Sequence, residues 1–370
     1  MNFAVIGTSR KENERRRPIH PQHIASIRED IRNQLFFEKD YGKPFGMSDD
    51  TIESLTGNRP LERKKLLGGF GAVLITKPVI EDFEEMRNGA LVWGWLHSVQ
   101  QRYIAQLGID KKLTLIAWEN MYYQSGRELI HTFSRNNELA GYCGVQHALE
   151  VAGIDGNFGP VRKAAVISFG SVSRGAIFSL RSHGIHDITV YTQRPAALVA
   201  NQIPGVSYKH FVETESGGFE VVNMDGSRTT MLEALSSADI IVNGILQNPV
   251  KPIVLVTEED APRFSNRCLI IDVSCSRAMG FDFACPTTFS NPVVELGNIT
   301  YYGVDHTPTL LWDSATWEIS KALLPYLNDV VGGVENEVIS GAVDIKEGKI
   351  LNSDIIVYQN RSKVYPYHQL

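Results

Sequence analysis

Four residues able to do acid–base or anion chemistry each follow an apolar, strand-like run in the N-terminal third of the chain. Arg16 lies beyond Phe3-Ala-Val-Ile-Gly7, inside Lys11-Glu-Asn-Glu-Arg-Arg16-Arg-Pro-Ile-His-Pro21. Lys77 follows Ala72-Val-Leu-Ile-Thr76, His97 follows Leu91-Val-Trp-Gly-Trp-Leu96, and Glu119 follows Leu115-Ile-Ala-Trp118. Open α/β sheets bind ligands outside the carboxyl ends of their strands. Four polar residues at four strand ends therefore predict one site. Arg16 can clamp a carboxylate with two parallel hydrogen bonds. Lys77 can hydrogen-bond a carbonyl oxygen or share proton transfer with His97. This kit suits a 2-oxo acid. Taken singly, a lysine at a strand end is ordinarily solvated and a lone histidine ordinarily structural, so the coincidence of the four carries the reading.

A second constellation lies near the middle of the chain. The branched, apolar run Ala164-Ala-Val-Ile-Ser-Phe169 stops at Gly170-Ser171-Val172-Ser173-Arg174-Gly175, and helix-compatible spacing follows. A strand, a glycine turn and a helix present backbone N–H groups and a helix N-terminus to a pyrophosphate. Val172 stands where the dinucleotide fingerprint has its middle glycine, which weakens the motif taken alone. The next strand ends in Thr192-Gln193-Arg194. NAD enzymes ordinarily place a carboxylate there for the ribose 2′-hydroxyl. Here no carboxylate would repel a 2′-phosphate, and Arg194 could pair with one. The expected cofactor is NADP(H), with NAD(H) as the lesser alternative.

These residues need two layers of alternating strands and helices to position them. Before the glycine turn, strands are predicted at 3–7, 34–38, 72–76, 91–95 and 113–118, with helices at 21–32, 49–56, 60–67 and 98–108. A helix over 137–149 leads into a second unit. That unit has strands at 164–169, 187–192, near 206–211, 239–243, 268–273 and 299–304, a helix at 174–183, and a hairpin around Gly217-Gly218 and Asp225-Gly226. A helix at 312–329 and a hairpin turning at Glu347-Gly348 follow. The fold class is α/β, with two Rossmann-like domains, the second a doubly wound parallel sheet and the first discontinuous. The expected division is 1–139 for the substrate domain, 140–306 for the nucleotide domain and 307–370 for a return to the substrate domain.

Bulk composition narrows the class. The chain has 370 residues, 43% hydrophobic and 21% charged, with a net charge of -6. Such a balance points to a globular protein and away from nucleic acid or an anionic membrane as partner. The cysteines Cys143, Cys268, Cys275 and Cys285 form no C-x-x-C pair, so reduced thiols and a cytoplasmic location are expected. No metal site is expected, no apolar run reaches the length of a membrane span, and no secretory signal is read at the N-terminus.

Several motifs together resemble the alanine dehydrogenase, transhydrogenase α-subunit and saccharopine dehydrogenase superfamily. They are Lys11-Glu-Asn-Glu-Arg-Arg16 with Pro21, Thr76-Lys77-Pro78, Trp95-Leu-His97, Asn137-Glu-Leu-Ala-Gly141, Asp272-Val-Ser and Val304-Asp-His-Thr-Pro308. Within it, Gly94-Trp-Leu-His-Ser-Val-Gln-Gln-Arg102, Val172-Ser-Arg-Gly-Ala176 and Met279-Gly-Phe-Asp-Phe-Ala-Cys-Pro286 look like the branch of N5-(carboxyethyl)ornithine synthases. The resemblance implies that Arg16 binds the substrate carboxylate, Lys77 the substrate carbonyl, and that His97 is catalytic. It places His306 near nicotinamide and substrate, and it adds Asn243, Ser276 and Asp305 to the cofactor side. Ser276 stands where alanine dehydrogenases carry an Asp, so its charge and basicity are missing. Asp272, Asp282 and Asp305 are the residues that could compensate.

The implied function is NADPH-dependent joining of a 2-oxo acid (pyruvate) to the side-chain amine of ornithine or lysine, with reduction of the imine. Glu119, Glu138 and Asp313 are candidate partners for a second cationic group on the amine substrate. The alternatives are an amino-acid dehydrogenase using ammonia and a dinucleotide-binding protein without catalysis. The expected partners are small molecules and further copies of the chain, as a dimer or tetramer.

Overall fold

The computed structural model describes residues 1–215, 217–223, 225–245, 247, 252–264 and 266–370. The chain divides into two compact units, residues 1–136 with 311–370 and residues 137–310.

The first unit opens with five parallel strands: β1 (Phe3–Val5), β2 (Leu35–Phe37), β3 (Ala72–Leu74), β4 (Leu91–Gly94) and β5 (Thr114–Ala117). Their order is β2-β1-β3-β4-β5. Side chains alternate between two cores, as a strand covered on both faces requires. Phe3, Val5, Leu74 and Trp93 meet Ile319 and Leu323 of the helix Trp312–Gly332 on one face. Ala4, Val73, Val92 and Leu115 meet Leu67 and Ile104 on the other. The order reverses between β1 and β3, the switch point at which such sheets bind ligands. An antiparallel hairpin of β6 (Tyr122–Ser125) and β7 (Glu128–His131) follows β5.

The second unit contains β8 (Lys163–Ile167), β9 (Asp187–Thr192), β10 (Ser207–Glu213), β11 (Phe219–Val222), β12 (Arg228–Thr230), β13 (Ile240–Asn243), β14 (Val254–Val256), β15 (Cys268–Asp272), β16 (Gly280–Phe281), β17 (Val293–Leu296) and β18 (Ile299–Tyr302). Its main sheet runs β12-β11-β10-β9-β8-β13-β15-β18-β17. The six inner strands, β10-β9-β8-β13-β15-β18, are parallel. Numbered among themselves, they take the dinucleotide-binding order with its switch point between β8 and β13. The edges are antiparallel: β11 and β12 extend one side and β17 the other.

The chain then returns to the first unit. There β19 (Val343–Lys346) pairs antiparallel with β5, and β20 (Lys349–Ile350) pairs with β19. Glu347 and Gly348 form the two-residue turn, both at positive φ (51 and 81), as a hairpin matched to strand twist needs.

Several helices differ from the sequence expectation. The stretch 21–32 is broken into a 3₁₀ turn, Pro21–Ser26, and a short helix, Glu29–Arg32, by the non-helical backbone of Ile27 and Arg28. The helix expected at 98–108 is Arg102–Asp110, because residues 97–101 form the loop that carries His97. The helix expected at 137–149 spans Ser134–Ala152.

Candidate functional site

Arg16 and Lys77 follow the two strands that flank the switch point of the first sheet. The Arg16 side chain is buried, and its Nε and Nη2 donate to Glu14 Oε1 and Oε2 at 2.9 and 2.6 Å. Nη1 donates to Asn136 Oδ1 at 3.2 Å, and the guanidinium carbon lies 4.9 Å from the Trp95 ring centre. Among the described residues this leaves one N–H on each Nη, the number a carboxylate clamp needs. Burial pushes the Glu14 carboxyl up, but the charge and hydrogen bonds of Arg16, with the charge of Lys77, hold it below the usual carboxylate range. Glu14 is thus the common counter-ion of both cations. Its role is not evident from sequence, although it sits inside Lys11-Glu-Asn-Glu-Arg-Arg16. An acidic residue two positions before a buried arginine was the available signal. Lys77 is half-buried, and its carbonyl accepts from Ser9 Oγ at 3.1 Å.

His97, after β4, has φ 49. A non-glycine residue in the left-handed region stores strain, which folds tolerate mainly where the surroundings fix it. Glu119, after β5, accepts the backbone N–H of Leu96 at 3.3 Å and that of His97. Its Oε1 lies 3.9 Å from His97 Nδ1, and the two side chains are 24% and 37% accessible. Burial, then the like charge of Asp344, raises the Glu119 pKa to about 8. Glu119 therefore holds a proton near neutral pH beside the His97 ring. Tyr122 also faces it, its own pKa raised by burial and by the Glu119 charge.

The loop beyond His97 is held by the returning segment. Ser98 Oγ donates to Asp344 Oδ2, and Asn120 and Asn352 each donate to Asp344 Oδ1 at 2.8 Å. Gln359 Nε2 donates to the carbonyls of Ser98 and Val99 at 2.8 and 2.9 Å, and Arg361 Nε donates to Gln359 Oε1 at 2.7 Å. Asp344 is buried with neutral donors, and burial raises its pKa. Neither Ser98 nor Asp344 was singled out from sequence, since their pairing is visible only once β19 docks on β5.

In the second unit the glycine turn caps the helix Ser171–Ser182, with Gly170 at the N-cap and no side chain bonding the first turn. The N–H groups of Ser171, Val172 and Ser173 are therefore the uncapped donors that a phosphate takes. The helix Ser134–Ala152 packs against this turn at backbone distance. A Cβ on Gly175 would meet the Glu138 carbonyl oxygen at 1.8 Å, and one on Gly141 the Val172 carbonyl oxygen at 1.9 Å. Ser173 is buried, its Oγ donating to the Ile167 carbonyl at 3.3 Å. Arg174 stacks on Phe169 at 4.0 Å and donates to the Asn201 carbonyl at 2.9 Å, closing the turn from outside.

After β9, Thr192 is buried and its Oγ1 accepts the Arg194 N–H at 3.2 Å, while Arg194 itself is exposed. Asn243, at the end of β13, is fully buried: Nδ2 donates to Asp272 Oδ1 at 3.0 Å and Oδ1 accepts from Ile245 N at 3.3 Å. Asp272 also accepts from Tyr301 Oη at 2.9 Å and Cys275 N at 3.0 Å, and burial pushes its carboxyl up to about 6. Asn243 and Asp272 thus brace the strand ends from within the protein. Ser276 Oγ turns to the Ser274 carbonyl at 3.3 Å. Asp305 Oδ1 lies 2.6 Å from His306 Nδ1, and the His306 ring is buried edge-on against Phe289. Asp282 Oδ1 accepts from Glu258 N at 2.7 Å. Asp313, in the first unit, is exposed and lies 3.0 Å from His20 Nε2. Among the described residues no group of three or more His, Cys, Asp or Glu is placed to hold a metal, and no helix is long and apolar enough to cross a membrane.

The chain is similar to several known proteins. The chain is 26% identical over 353 residues to N(5)-(carboxyethyl)ornithine synthase of Clostridium botulinum, covering 88% of this chain and 96% of the relative. It is 21% identical to alanine dehydrogenase 1 of Staphylococcus aureus, covering 93% of each. An L-alanine dehydrogenase structure matches with a TM-score of 0.73 at 17% identity, over 97% of this chain and 99% of that one. A transhydrogenase structure from Sinorhizobium meliloti matches with a TM-score of 0.67 at 18% identity, over 95% and 99%. The model of the alanine dehydrogenase/PNT C-terminal domain matches residues 153–354, more than half of the chain. The chain therefore belongs to the alanine dehydrogenase/PNT family.

Proposed function

We propose that the protein is an NADPH-dependent reductase that joins a 2-oxo acid, pyruvate foremost, to the side-chain amine of ornithine or lysine. The observation that carries this is the placement of Arg16, Lys77, His97 and Glu119 after β1, β3, β4 and β5, four adjacent parallel strands whose order reverses between the first two. At its coarser level the protein is an NAD(P)-dependent oxidoreductase acting on CH–NH groups.

Arg16, made rigid by Glu14, holds the oxo acid's carboxylate. Lys77 hydrogen-bonds the carbonyl oxygen and raises the carbon's electrophilicity. His97 and protonated Glu119 hand over the proton that lets the carbinolamine oxygen leave as water. The uncapped turn at Gly170–Gly175 fits a pyrophosphate, and Arg194 fits a 2′-phosphate by charge. A nicotinamide bound by the second unit supplies the hydride. The similarity to a carboxyethylornithine synthase supports the amine class, and Ser276 in place of an Asp speaks against a plain alanine dehydrogenase.

A grid of oxo acids against ammonia, ornithine and lysine, with NADPH and NADH, tests the reading. Oxidation of NADPH with pyruvate should require ornithine or lysine. Turnover with ammonia alone would make the protein an amino-acid dehydrogenase, and binding of NADPH without turnover on any pair would make it non-catalytic.

A further inference from the structure

The segment Arg15-Arg16-Arg17 sends alternate side chains to opposite sides. Arg16 turns to Glu14, Asn136 and Trp95. Arg15 and Arg17 turn the other way: the Arg15 guanidinium carbon lies 4.6 Å from the Trp312 ring centre, and that of Arg17 lies 5.0 Å from Tyr41 and 5.5 Å from Phe45. Phe45 and Trp312 meet edge to face at 5.0 Å. The two guanidiniums therefore share one aromatic shelf.

Arg17 is only 7% exposed. Its backbone N–H donates to Thr316 Oγ1 at 3.0 Å. Its guanidinium has one long contact, Nη1 to the Asp40 carbonyl at 3.5 Å, and Nε has no acceptor among the described residues. Nearby carboxylates are engaged elsewhere. Glu38 accepts from Gly7 N, Thr8 N and Thr8 Oγ1, Asp40 lies 3.5 Å from Lys43 Nζ, and Asp313 lies 3.0 Å from His20 Nε2. Burial lowers the Arg17 pKa; Tyr41, Glu38 and Asp40 oppose this by charge alone, and the neighbouring Arg15 acts with burial. Buried charges are ordinarily paired, and stacking on rings offsets only part of the desolvation. A guanidinium fork beside a second guanidinium is the donor set that recognises a carboxylate or phosphate.

We propose that Arg15 and Arg17, over the Phe45–Trp312 shelf, bind the carboxylate or phosphate of a small anionic molecule on the side of the segment opposite Arg16. This stands apart from the reductase reading, which of these three arginines uses only Arg16.

The test is calorimetric titration of inorganic phosphate and, separately, acetate into the full chain saturated with NADPH, which fills the nucleotide turn. One saturable site that Arg17→Met weakens is expected, beside the carboxylate site at Arg16 that this variant leaves unchanged, and the tighter of the two anions there identifies the group it takes. Arg17→Met should weaken that site about tenfold or more, the equivalent of losing charged hydrogen bonds, and Arg15→Met by a smaller factor. Arg17→Met should also melt no lower than the wild type in anion-free buffer. The proposal falls if neither anion binds saturably, or if the variants bind as the wild type does. Should Arg17→Met fail to fold, an unchanged affinity in Arg15→Met overturns it by itself. Anion binding by a protein that reduces no imine would sink the reductase reading and leave this site standing.

Discussion

At the residue scale, the cations of the proposed site are held by a carboxylate that does no chemistry itself. Glu14 fixes the Arg16 fork and is coupled to the Lys77 charge. Replacing it with Gln keeps the shape but removes the charge, so the oxo-acid KM should rise while NADPH affinity stays put; an unchanged KM would remove Glu14 from the site. His97→Ala should lower turnover on the order of a hundredfold or more, the usual contribution of a positioned acid or base, again without loss of NADPH binding. Glu119 makes a separate statement about pH. Its folded pKa is about 8 against an ordinary carboxyl value of 4.5. A raised carboxyl keeps its proton in the native state while the unfolded chain releases it, so the stability tied to that proton is fully present below the unfolded pKa and fades as pH climbs toward the folded one. Glu119→Gln should therefore gain melting temperature relative to wild type from about pH 4.5 to 8, then level off. A constant difference across that window would mean Glu119 is not perturbed.

At the element scale, the return of the chain through β19 does more than close a sheet. It brings Asp344, Asn352, Gln359 and Arg361 under the strained loop that carries His97. Small displacements of a reacting group cost one to two orders of magnitude in rate. Asp344→Asn and Ser98→Ala should thus lower kcat about tenfold to a hundredfold, with KM and NADPH affinity little changed. Unchanged kcat in both variants would make the network purely structural. Gly175→Ala would drive a methyl into the Glu138 carbonyl, and two packed backbones yield little, so a loss of about 3 kcal/mol or failure to fold is expected. A denaturant melt checks it.

The strands that carry this machinery were legible because buried parallel strands need continuous apolar runs, and β1, β3, β4, β5, β8 and β15 have them, while β9 alternates branched and polar residues. The hairpin of β6 and β7 was not legible: Tyr122–Ser125 is polar and largely exposed. Nor was β17, whose Val293–Leu296 pairs only at an edge. The switch-point residues could be found from their strand ends. Glu14, Ser98 and Asp344 act through contacts made by folding, so position in sequence says little about them.

At the scale of the whole molecule, the proposal gives the carbon-and-nitrogen chemistry to one unit and the nucleotide to the other. Arg194 is exposed at the end of β9, where a 2′-phosphate would meet it. Arg194→Ala should weaken NADPH about tenfold relative to NADH, the worth of a charged hydrogen bond. An unaltered ratio would remove the argument for NADP(H). The central claim is that hydride reaches an imine built from an oxo acid and an amino-acid amine. Incubation with pyruvate, ornithine or lysine, and NADPH deuterated at the transferred position tests it most directly, with the product read by mass spectrometry. The account predicts a secondary amine joining both substrates, with deuterium on the carbon of the new C–N bond. Deuterated lactate in its place, or deuterated alanine once ammonia is added, would contradict it.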